Sequence, residues 1–410
     1  MAAGYGELKR VKEPAFGIGA EGRFFMWLRI PAGKTVKNIS HLWEGAIGVK
    51  SAVTNRQIFF LLYLTLTTYT IINIPKVLAQ QAGRAAWVPI LLVAAVFSLF
   101  VIIIVHLGNM FPGKMLFEYS QEIVGKFLAY VLSFYMVVYF SMVAIFFNIQ
   151  LANVLKAEFF PKTPFWAMLI AGVAVFGCIA YKGVNSVARF FEIIGPIYLF
   201  TAIATHVIML TQGNLNSIQP LFQASQMPRY LTATKDVILS FLGIEILMII
   251  PFTRDNGKKA TRVAFFSLLF IGFFYVLVVE TSIMMLGYKD IQNYNYALIE
   301  AIKLVDNPVL ERFDILYLTV GFSGLIAGVC AVYLALAEYA CKIFSKVDRK
   351  IIVLLAGVLI VALSLVAQAA KDSALFFEGV IPVTGLVSAF LIPSLLLVIA
   401  KVRRLGQKAQ

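Results

Sequence analysis

Two hydrophobic stretches of the chain end in a similar pattern of polar and helix-breaking residues. Residues 66–75 read Leu-Thr-Thr-Tyr-Thr-Ile-Ile-Asn-Ile-Pro, and residues 241–251 read Phe-Leu-Gly-Ile-Glu-Ile-Leu-Met-Ile-Ile-Pro. Pro75 and Pro251 lie 176 positions apart, and the next long apolar segments begin near residues 85 and 261, again 176 apart. Paired interruptions of this kind are typical of membrane proteins in which half-helix ends offer backbone groups to a solute. The alternative is that each proline only kinks or ends its own helix.

The spacing of apolar segments predicts an all-α integral membrane protein with ten transmembrane helices. A helix needs about 20 apolar residues to cross a bilayer. The chain is 60% hydrophobic and only 14% charged, whereas about a quarter of the residues of a soluble domain are charged. The sixth segment is short, as expected where a helix is partly unwound. The ten segments are residues 58–79, 87–107, 127–154, 165–181, 191–210, 237–252, 263–286, 315–341, 351–367 and 376–400.

The ten segments divide into five plus five, with repeat halves at about residues 57–211 and 235–400. An odd number of spans per half inverts the second half relative to the first, which gives an inverted repeat. Two longer outer loops, residues 213–234 and 288–314, could cap a solute pocket, meet a partner or simply connect spans. The second loop contains an amphipathic stretch around residues 296–306, and this periodicity predicts a short surface helix.

The net charge of +14 is informative because of how the basic residues are distributed between the predicted inside and outside segments. With a cytoplasmic N-terminus, ten spans place both termini inside, and the inside segments then hold most of the 35 lysines and arginines. This asymmetry follows the positive-inside rule, so the basic charge indicates orientation in a cell membrane rather than nucleic-acid binding. We expect three parts: a basic cytoplasmic extension at residues 1–50, one permease domain at 51–404 and a cytoplasmic tail at 405–410.

Glu245 is the strongest candidate for chemistry in the second interrupted segment. An ionisable side chain at membrane depth is costly and usually faces an interior cavity with a partner. Glu245 could hold a solute ammonium group, carry a proton or bond to unwound backbone, or it could be a structural polar plug. The candidate ligand-binding residues in this segment are Phe241, Leu242, Gly243, Ile244 and Glu245.

The first interrupted segment offers hydroxyl groups in place of a carboxylate. Threonine and tyrosine hydroxyls beside freed backbone N–H groups can hold an anionic group. Threonines also bond back to carbonyls of their own helix, and this alternative has equal standing. The candidate ligand-binding residues here are Thr67, Thr68, Tyr69, Thr70, Ile71 and Ile72.

Other ionisable residues lie within the predicted spans. Glu280 is a second candidate for a proton relay beside Glu245, and His206 fits a packing residue better than a pH sensor. Glu338 is expected to pair with Lys342 four residues later. The tyrosines and phenylalanine of the third span could line a cavity or pack against helices and lipid: Tyr130, Phe134, Tyr135 and Tyr139.

The chain shows no signature of an enzyme or of a cofactor. It has no phosphate-binding loop, metal-spaced His/Cys cluster or nucleophile elbow. Its three cysteines, Cys178, Cys330 and Cys341, show no metal spacing, and a disulfide framework is not expected. We predict a protein that is not an enzyme and needs neither metal nor cofactor.

A set of short motifs occurs in order along the chain. They are residues 55–59 (Asn-Arg-Gln-Ile-Phe), 74–75 (Ile-Pro), 82–87 (Ala-Gly-Arg-Ala-Ala-Trp), 213–220 (Gly-Asn-Leu-Asn-Ser-Ile-Gln-Pro), 241–245 running into 251–252 (Pro-Phe), and 311–314 (Glu-Arg-Phe-Asp). This set resembles the bacterial spore germination permeases, the membrane B subunits of nutrient germinant receptors in the amino acid/polyamine/organocation transporter superfamily. The resemblance covers nearly all of residues 51–404. Two departures are Leu318-Thr319-Val320, where the family often has an aromatic residue, and the absence of glycine from residues 67–70.

The resemblance implies a LeuT-like fold, a 5+5 inverted repeat with broken first and sixth helices. It also implies that a small nutrient, usually an amino acid, binds between these two helices in the inner membrane of the spore. Its implied partners are a companion membrane subunit and a lipoprotein subunit. The leading hypothesis is a germinant sensor; the alternatives are a stand-alone proton-coupled amino acid permease, with Glu245 or Glu280 carrying the proton, and a scaffold with a vestigial pocket.

Overall fold

The structure is a computed structural model that describes residues 53–67, 70–253, 257–306, 313–370 and 372–405. The predicted N-terminal extension, the candidate residues Thr68 and Tyr69, and the Glu-Arg pair of the 311–314 motif lie outside this described part. Within it, the chain folds into α-helices joined by short 3₁₀ segments.

The first half of the described chain contains seven helices. Helix α1 begins with a capping box, in which the backbone N–H of Gln57 donates to Thr54 Oγ1 and the backbone N–H of Thr54 donates to Gln57 Oε1. The helices are α1 (Asn55–Leu66), α2 (Thr70–Gln81), α3 (Trp87–Met110), α4 (Leu116–Val124), α5 (Lys126–Glu158), α6 (Phe165–Tyr181) and α7 (Val184–Gln212).

The second half of the described chain also contains seven α-helices, and its interrupted span includes a 3₁₀ helix. Its helices are α8 (Met227–Phe241), α9 (Gly257–Leu286), α10 (Ala297–Lys303), α11 (Phe313–Ile343), α12 (Arg349–Ala369), α13 (Ser373–Leu386) and α14 (Ile392–Val402). A 3₁₀ helix at Ile244–Ile249 follows α8, and a π-helical turn at Val387–Leu391 joins α13 to α14.

Seven helical segments of the described chain are long and apolar enough to cross a membrane. The bent pair α1–α2 makes an eighth, with a 56° angle between its two parts. Helix α6 is apolar but has only 17 residues, and the span that contains α8 is divided between an α-helix and a 3₁₀ helix. The predicted count of ten spans therefore stays a prediction by length and composition, whereas the broken first and sixth spans are confirmed.

The predicted start of the sixth span at residue 237 was wrong. Helix α8 begins at Met227, so the last part of the loop predicted at 213–234 is helical. Pro228 is tolerated there because the first turn of a helix has N–H groups without intrahelical partners. The buried residues Tyr230, Ala233 and Val237 follow a helical period, but the polar residues between them conceal the segment from a hydropathy scan.

Helices α3 and α9, the second spans of the two halves, pack against each other. A Cβ atom built on Gly272 would lie 2.5 Å from Cβ of Ala94, so only small residues allow this approach. Large apolar side chains that face outward, such as Phe127 and Phe200, are 84% and 77% exposed. These surfaces fit a lipid environment, where apolar exposure carries no penalty.

The short surface helix predicted in the second outer loop is confirmed as α10. Its apolar residues are buried, and the helix contacts α2, α9 and α11. Lys303 Nζ forms ion pairs with Glu158 Oε2 at 3.0 Å and with Glu300 Oε1 at 2.9 Å. The loop thus covers the second part of the first interrupted span, rather than acting as a free connector.

Candidate functional site

The first interrupted span breaks between Leu66, where α1 ends, and Thr70, where α2 begins. Thr67 is fully buried, and its hydroxyl donates to the carbonyl of Tyr63 at 2.6 Å. Thr70, the first residue of α2, bonds to the hydroxyl of Tyr275 on α9 at 3.1 Å. Both described hydroxyls of the predicted polar run are therefore engaged within the protein.

The second interrupted span breaks at Leu242 and Gly243. Leu242 has extended backbone, and Gly243 has φ of 123°, a conformation that only glycine adopts readily. A Cβ atom on Gly243 would lie 3.0 Å from Cγ2 of Thr65, a residue of α1. The two breaks are therefore in direct contact, and glycine is required at this position for both its backbone conformation and its small size.

Glu245 lies in the first turn of the 3₁₀ helix, two residues after Gly243, and is 1% exposed. Its Oε2 accepts the backbone N–H of Gly243 at 2.9 Å, and its Oε1 accepts the hydroxyl of Tyr139 at 2.5 Å. Of the roles proposed from the sequence, bonding to unwound backbone is the one this geometry contains. None of the ion pairs between described residues involves Glu245. The carboxyl group of Glu245 is thus held in the buried core by neutral donors.

A single phenol connects the two breaks. The hydroxyl of Tyr275 lies 2.8 Å from the carbonyl oxygen of Leu66 at the end of α1. It also lies 3.4 Å from the carbonyl oxygen of Ser240 near the end of α8. Tyr275 is fully buried in α9. The breaks are thereby joined by side-chain hydrogen bonds as well as by packing.

Five of the candidate ligand-binding residues line two small cavities: Leu242, Gly243 and Glu245 line one, and Ile71 and Ile72 line the other. A cavity of about 10 Å³ beside Glu245 has room for about one water molecule. A second cavity of about 30 Å³ lies toward α10. The first is lined by Thr65, Tyr139, Leu242, Gly243 and Glu245 among others, and the second by Ile71, Ile72, Tyr198, Leu298, Ile299 and Tyr317 among others. A small-molecule site usually measures about 300 Å³ or more, so the breaks are packed closed.

Two candidate residues lie in the core beside these cavities. Phe241 packs its ring against Phe97 at 5.7 Å and against Tyr275 at 5.6 Å. Ile244 is fully buried. These side chains support the second break, and neither lines either of the two cavities.

Glu280 shares no hydrogen-bond partner with Glu245 among the described residues. Its Oε1 accepts the backbone N–H of Trp87 at 3.1 Å, where α3 begins. A carboxylate is favourable at this position because of the helix dipole. His206 is fully buried, with Nδ1 2.8 Å from Thr281 Oγ1, and packs as a core residue.

The predicted pairing of Glu338 with Lys342 was wrong. Glu338 pairs instead with Arg349 at 2.7 Å, and Lys342 pairs with Glu118 of α4 at 2.6 Å. Partners from other helices replace the weak pair within one helix, because a pair between side chains four residues apart is worth only about 0.2–0.5 kcal/mol.

Sequence reasoning missed Tyr275 and did not single out Tyr139. Tyr139 and Tyr135 face the interior, whereas Tyr130 and Phe134 of the same helix are 42% and 61% exposed. Helical spacing could have separated these two faces. No comparable signal marks Tyr275, because a single tyrosine in an apolar helix has no distinctive neighbours. Among the described residues, no group of three His, Cys, Asp or Glu is arranged to hold a metal ion.

The fold and the two touching breaks define a multi-pass membrane protein with the LeuT-type transporter fold. The structure of MhsT in complex with L-phenylalanine superposes with a TM-score of 0.60 at 13% identity, covering 87% of this chain and 99% of that one. Mhp1, a nucleobase-cation-symport-1 family transporter, gives a TM-score of 0.53 at 12% identity, covering 84% and 93% of the two chains. These similarities establish the fold.

Residues 52–372 match the spore germination protein family of permeases, and the chain belongs to that family. Spore germination protein YndE of Bacillus subtilis (strain 168) is 23% identical over 87% of this chain and 99% of its own length. Spore germination protein B2 of the same organism is 24% identical over 64% of this chain and 72% of its own length. The resemblance inferred from the ordered motifs is confirmed.

Proposed function

We propose that this chain is the membrane subunit of a germinant receptor that binds a small nutrient, an amino acid, between its first and sixth spans. Binding at mid-membrane depth separates the two packed breaks and triggers spore germination. The family and the LeuT-type fold support a nutrient-sensing or transport role. The finer assignment depends on the chemistry at the breaks.

The observation that carries the proposal is the buried Glu245 carboxylate without a cationic partner among the described residues. A charge at membrane depth normally has a partner of opposite sign. An amino acid would supply an ammonium group to Glu245. Its carboxylate would lie at the N-terminus of α2, which begins at Thr70 within the first break. Helix N-termini of broken spans favour anionic groups.

The two cavities at the breaks are too small for an amino acid. We therefore infer that the nutrient stabilises a second arrangement of the breaks. A ligand shifts a two-state equilibrium by its difference in affinity for the two states. We infer that companion subunits, one in the membrane and one a lipoprotein, respond to this rearrangement. The location that fits this role is the inner membrane of the spore, with both termini cytoplasmic.

The test is a thermal-shift screen of the 20 L-amino acids against the purified full chain in lipid nanodiscs. A ligand that binds only the folded protein raises its stability, by about 2.7 kcal/mol at 100 times Kd. At least one amino acid should raise Tm in the wild type. Glu245→Gln should remove most of that shift, since glutamine keeps the acceptor for Gly243 but not the negative charge.

Glu280→Gln is the matched control, because it neutralises another carboxyl group within a membrane span, and the Glu280 side chain bonds to Trp87 rather than to either break. It should keep the ligand-induced shift. Equal shifts in the wild type and Glu245→Gln would remove Glu245 from the site. The absence of any shift with all 20 amino acids would contradict the amino acid assignment.

A stand-alone permease is the second candidate, supported by the transporter fold of the structural neighbours. Uptake of a radiolabelled amino acid into proteoliposomes that contain only this chain separates the two functions. Uptake driven by a proton gradient would favour the permease. Binding without uptake would favour the sensor.

A further inference from the structure

The ends of two half-helices meet at the hydroxyl of Tyr275. The carbonyl oxygen of Leu66, the last residue of α1, lies 2.8 Å from it, and the carbonyl oxygen of Ser240, the penultimate residue of α8, lies 3.4 Å from it. The hydroxyl of Thr70 completes the group at 3.1 Å. Three oxygen atoms from both breaks thus surround one phenolic oxygen in the fully buried core.

This arrangement has a definite electrostatic character. The C-terminal end of a helix carries a partial negative charge of about half an elementary charge. In membrane proteins with broken helices, such ends and unwound carbonyls coordinate a cation. Here the hydrogen of the Tyr275 hydroxyl, which carries a partial positive charge, lies where such a cation would lie.

The phenol also satisfies the hydrogen-bonding needs of the group. It has one proton to donate, and the 2.8 Å contact with Leu66 is the strongest of its bonds to a carbonyl. The Thr70 hydroxyl can donate to the phenolic oxygen. The Ser240 carbonyl, at 3.4 Å, makes the weakest contact. Removing the hydroxyl would take a donor away from two buried carbonyls, which is costly.

We propose that the Tyr275 hydroxyl stands where a monovalent cation would otherwise join the two breaks, so that the site works without Na⁺ or K⁺. Tyr275 is then a positioning residue that holds the ends of α1 and α8 together. The inference rests on the proposed function in so far as the nutrient binds at these breaks. Its test does not require a nutrient, so the two proposals can fail separately.

The first experiment measures Tm of the purified full chain in nanodiscs in NaCl, KCl and choline chloride at equal ionic strength, which keeps general screening constant. The wild type should have the same Tm in all three salts. Where the amino acid screen yields a ligand, its affinity should also agree within about twofold across the salts. A wild-type Tm or affinity that requires Na⁺ or K⁺ would overturn the proposal.

The second experiment asks whether removal of the phenol creates a cation requirement. Tyr275→Ala leaves the carbonyl oxygens and opens space beside them, so this variant should have a higher Tm in NaCl or KCl than in choline chloride. Tyr275→Phe removes the donor but leaves no space, so it should lose stability equally in all three salts. A folded Tyr275→Ala variant with equal Tm in all three salts would overturn the proposal.

Tyr333 provides the matched control. It is buried in α11, and its hydroxyl donates to the carbonyl of Val353 on α12 at 2.6 Å, away from both breaks. Tyr333→Ala should lower Tm equally in the three salts, because it leaves no paired helix ends. If Tyr275→Ala fails to fold, the wild-type comparison across salts still decides the proposal. A salt response shared by Tyr275→Ala and Tyr333→Ala would count against it.

Discussion

The two interrupted spans differ in how each break is built. The first joins two α-helices at a 56° bend, and Pro75 lies within the second of them. The second passes from an α-helix through Gly243 to a 3₁₀ helix, and Pro251 follows in irregular backbone. The first break is held by neutral hydroxyl groups, whereas the second is held by the Glu245 carboxylate.

This difference shows that similar sequences of polar and helix-breaking residues can give two different local structures. A proline removes one backbone donor wherever it lies, but only the second break has a glycine that allows a left-handed backbone. The first break is also covered by α10 from the outer loop. We expect substitutions at the second break to have larger effects than those at the first.

Gly243→Val should have the largest effect, lowering the free energy of unfolding by about 2–5 kcal/mol. A β-branched residue is strained at φ of 123°, and its Cβ would crowd Thr65. The measurement is denaturant unfolding of the purified chain in detergent. Gly113→Val is the control, because Gly113 has φ of 76° with no atom within 4 Å of an added Cβ. Equal losses in both variants would show that the contact between the breaks contributes nothing.

Tyr139→Phe should follow, with a loss of about 1.5–3 kcal/mol, since it removes a donor to a buried carboxylate. Tyr135 lies one turn earlier in α5, and its hydroxyl donates to the neutral carbonyl of Thr384 at 2.7 Å. Tyr135→Phe should therefore cost less, about 0.5–1.5 kcal/mol. Thermal and denaturant unfolding of the two variants tests the order, and a greater loss in Tyr135→Phe would reverse the assignment of Glu245 as the main anchor of the second break.

Thr70→Val should cost about 1 kcal/mol, because it removes one neutral hydrogen bond to Tyr275 at the first break. Thr384→Val is the matched control: its hydroxyl bonds back to the carbonyl of Val380 in its own helix, and loss of such a bond is nearly neutral. Denaturant unfolding of the two variants measures the difference. A loss in Thr70→Val that exceeds the loss in Tyr139→Phe would invert the expected order of the two breaks.

Lys303→Gln should have the smallest effect, below about 1 kcal/mol, because partly exposed ion pairs contribute little. It removes the pairs with Glu158 and Glu300 that hold α10 over the first break. The loss should shrink at high salt, where such pairs are screened. Lys76→Gln is the control, since Lys76 bonds to the neutral side chain of Asn295. A salt-independent loss in Lys303→Gln would point to packing instead of charge.

The positions of both breaks were predictable because proline, glycine and buried polar residues are local signals. Helix α10 was predictable from its apolar period. The role of Tyr275 was not, because it arises from backbone oxygens of Leu66 and Ser240, which are far apart in the sequence. The true partners of Glu338 and Lys342 likewise come from other helices. Local sequence patterns identify where a helix is interrupted, whereas tertiary packing determines which groups hold the interrupted ends together.

The measurement that tests the central claim most directly is a solid-state NMR distance between the bound amino acid and Glu245. A ¹⁵N-labelled ligand from the screen and ¹³C-labelled glutamate in the protein would report the dipolar coupling between the ammonium nitrogen and a carboxylate carbon. We predict a coupling that corresponds to an ion-pair separation of about 4 Å, present in the wild type and Glu280→Gln and lost in Glu245→Gln. A bound amino acid that shows no such coupling in the wild type would contradict a nutrient site at the two breaks.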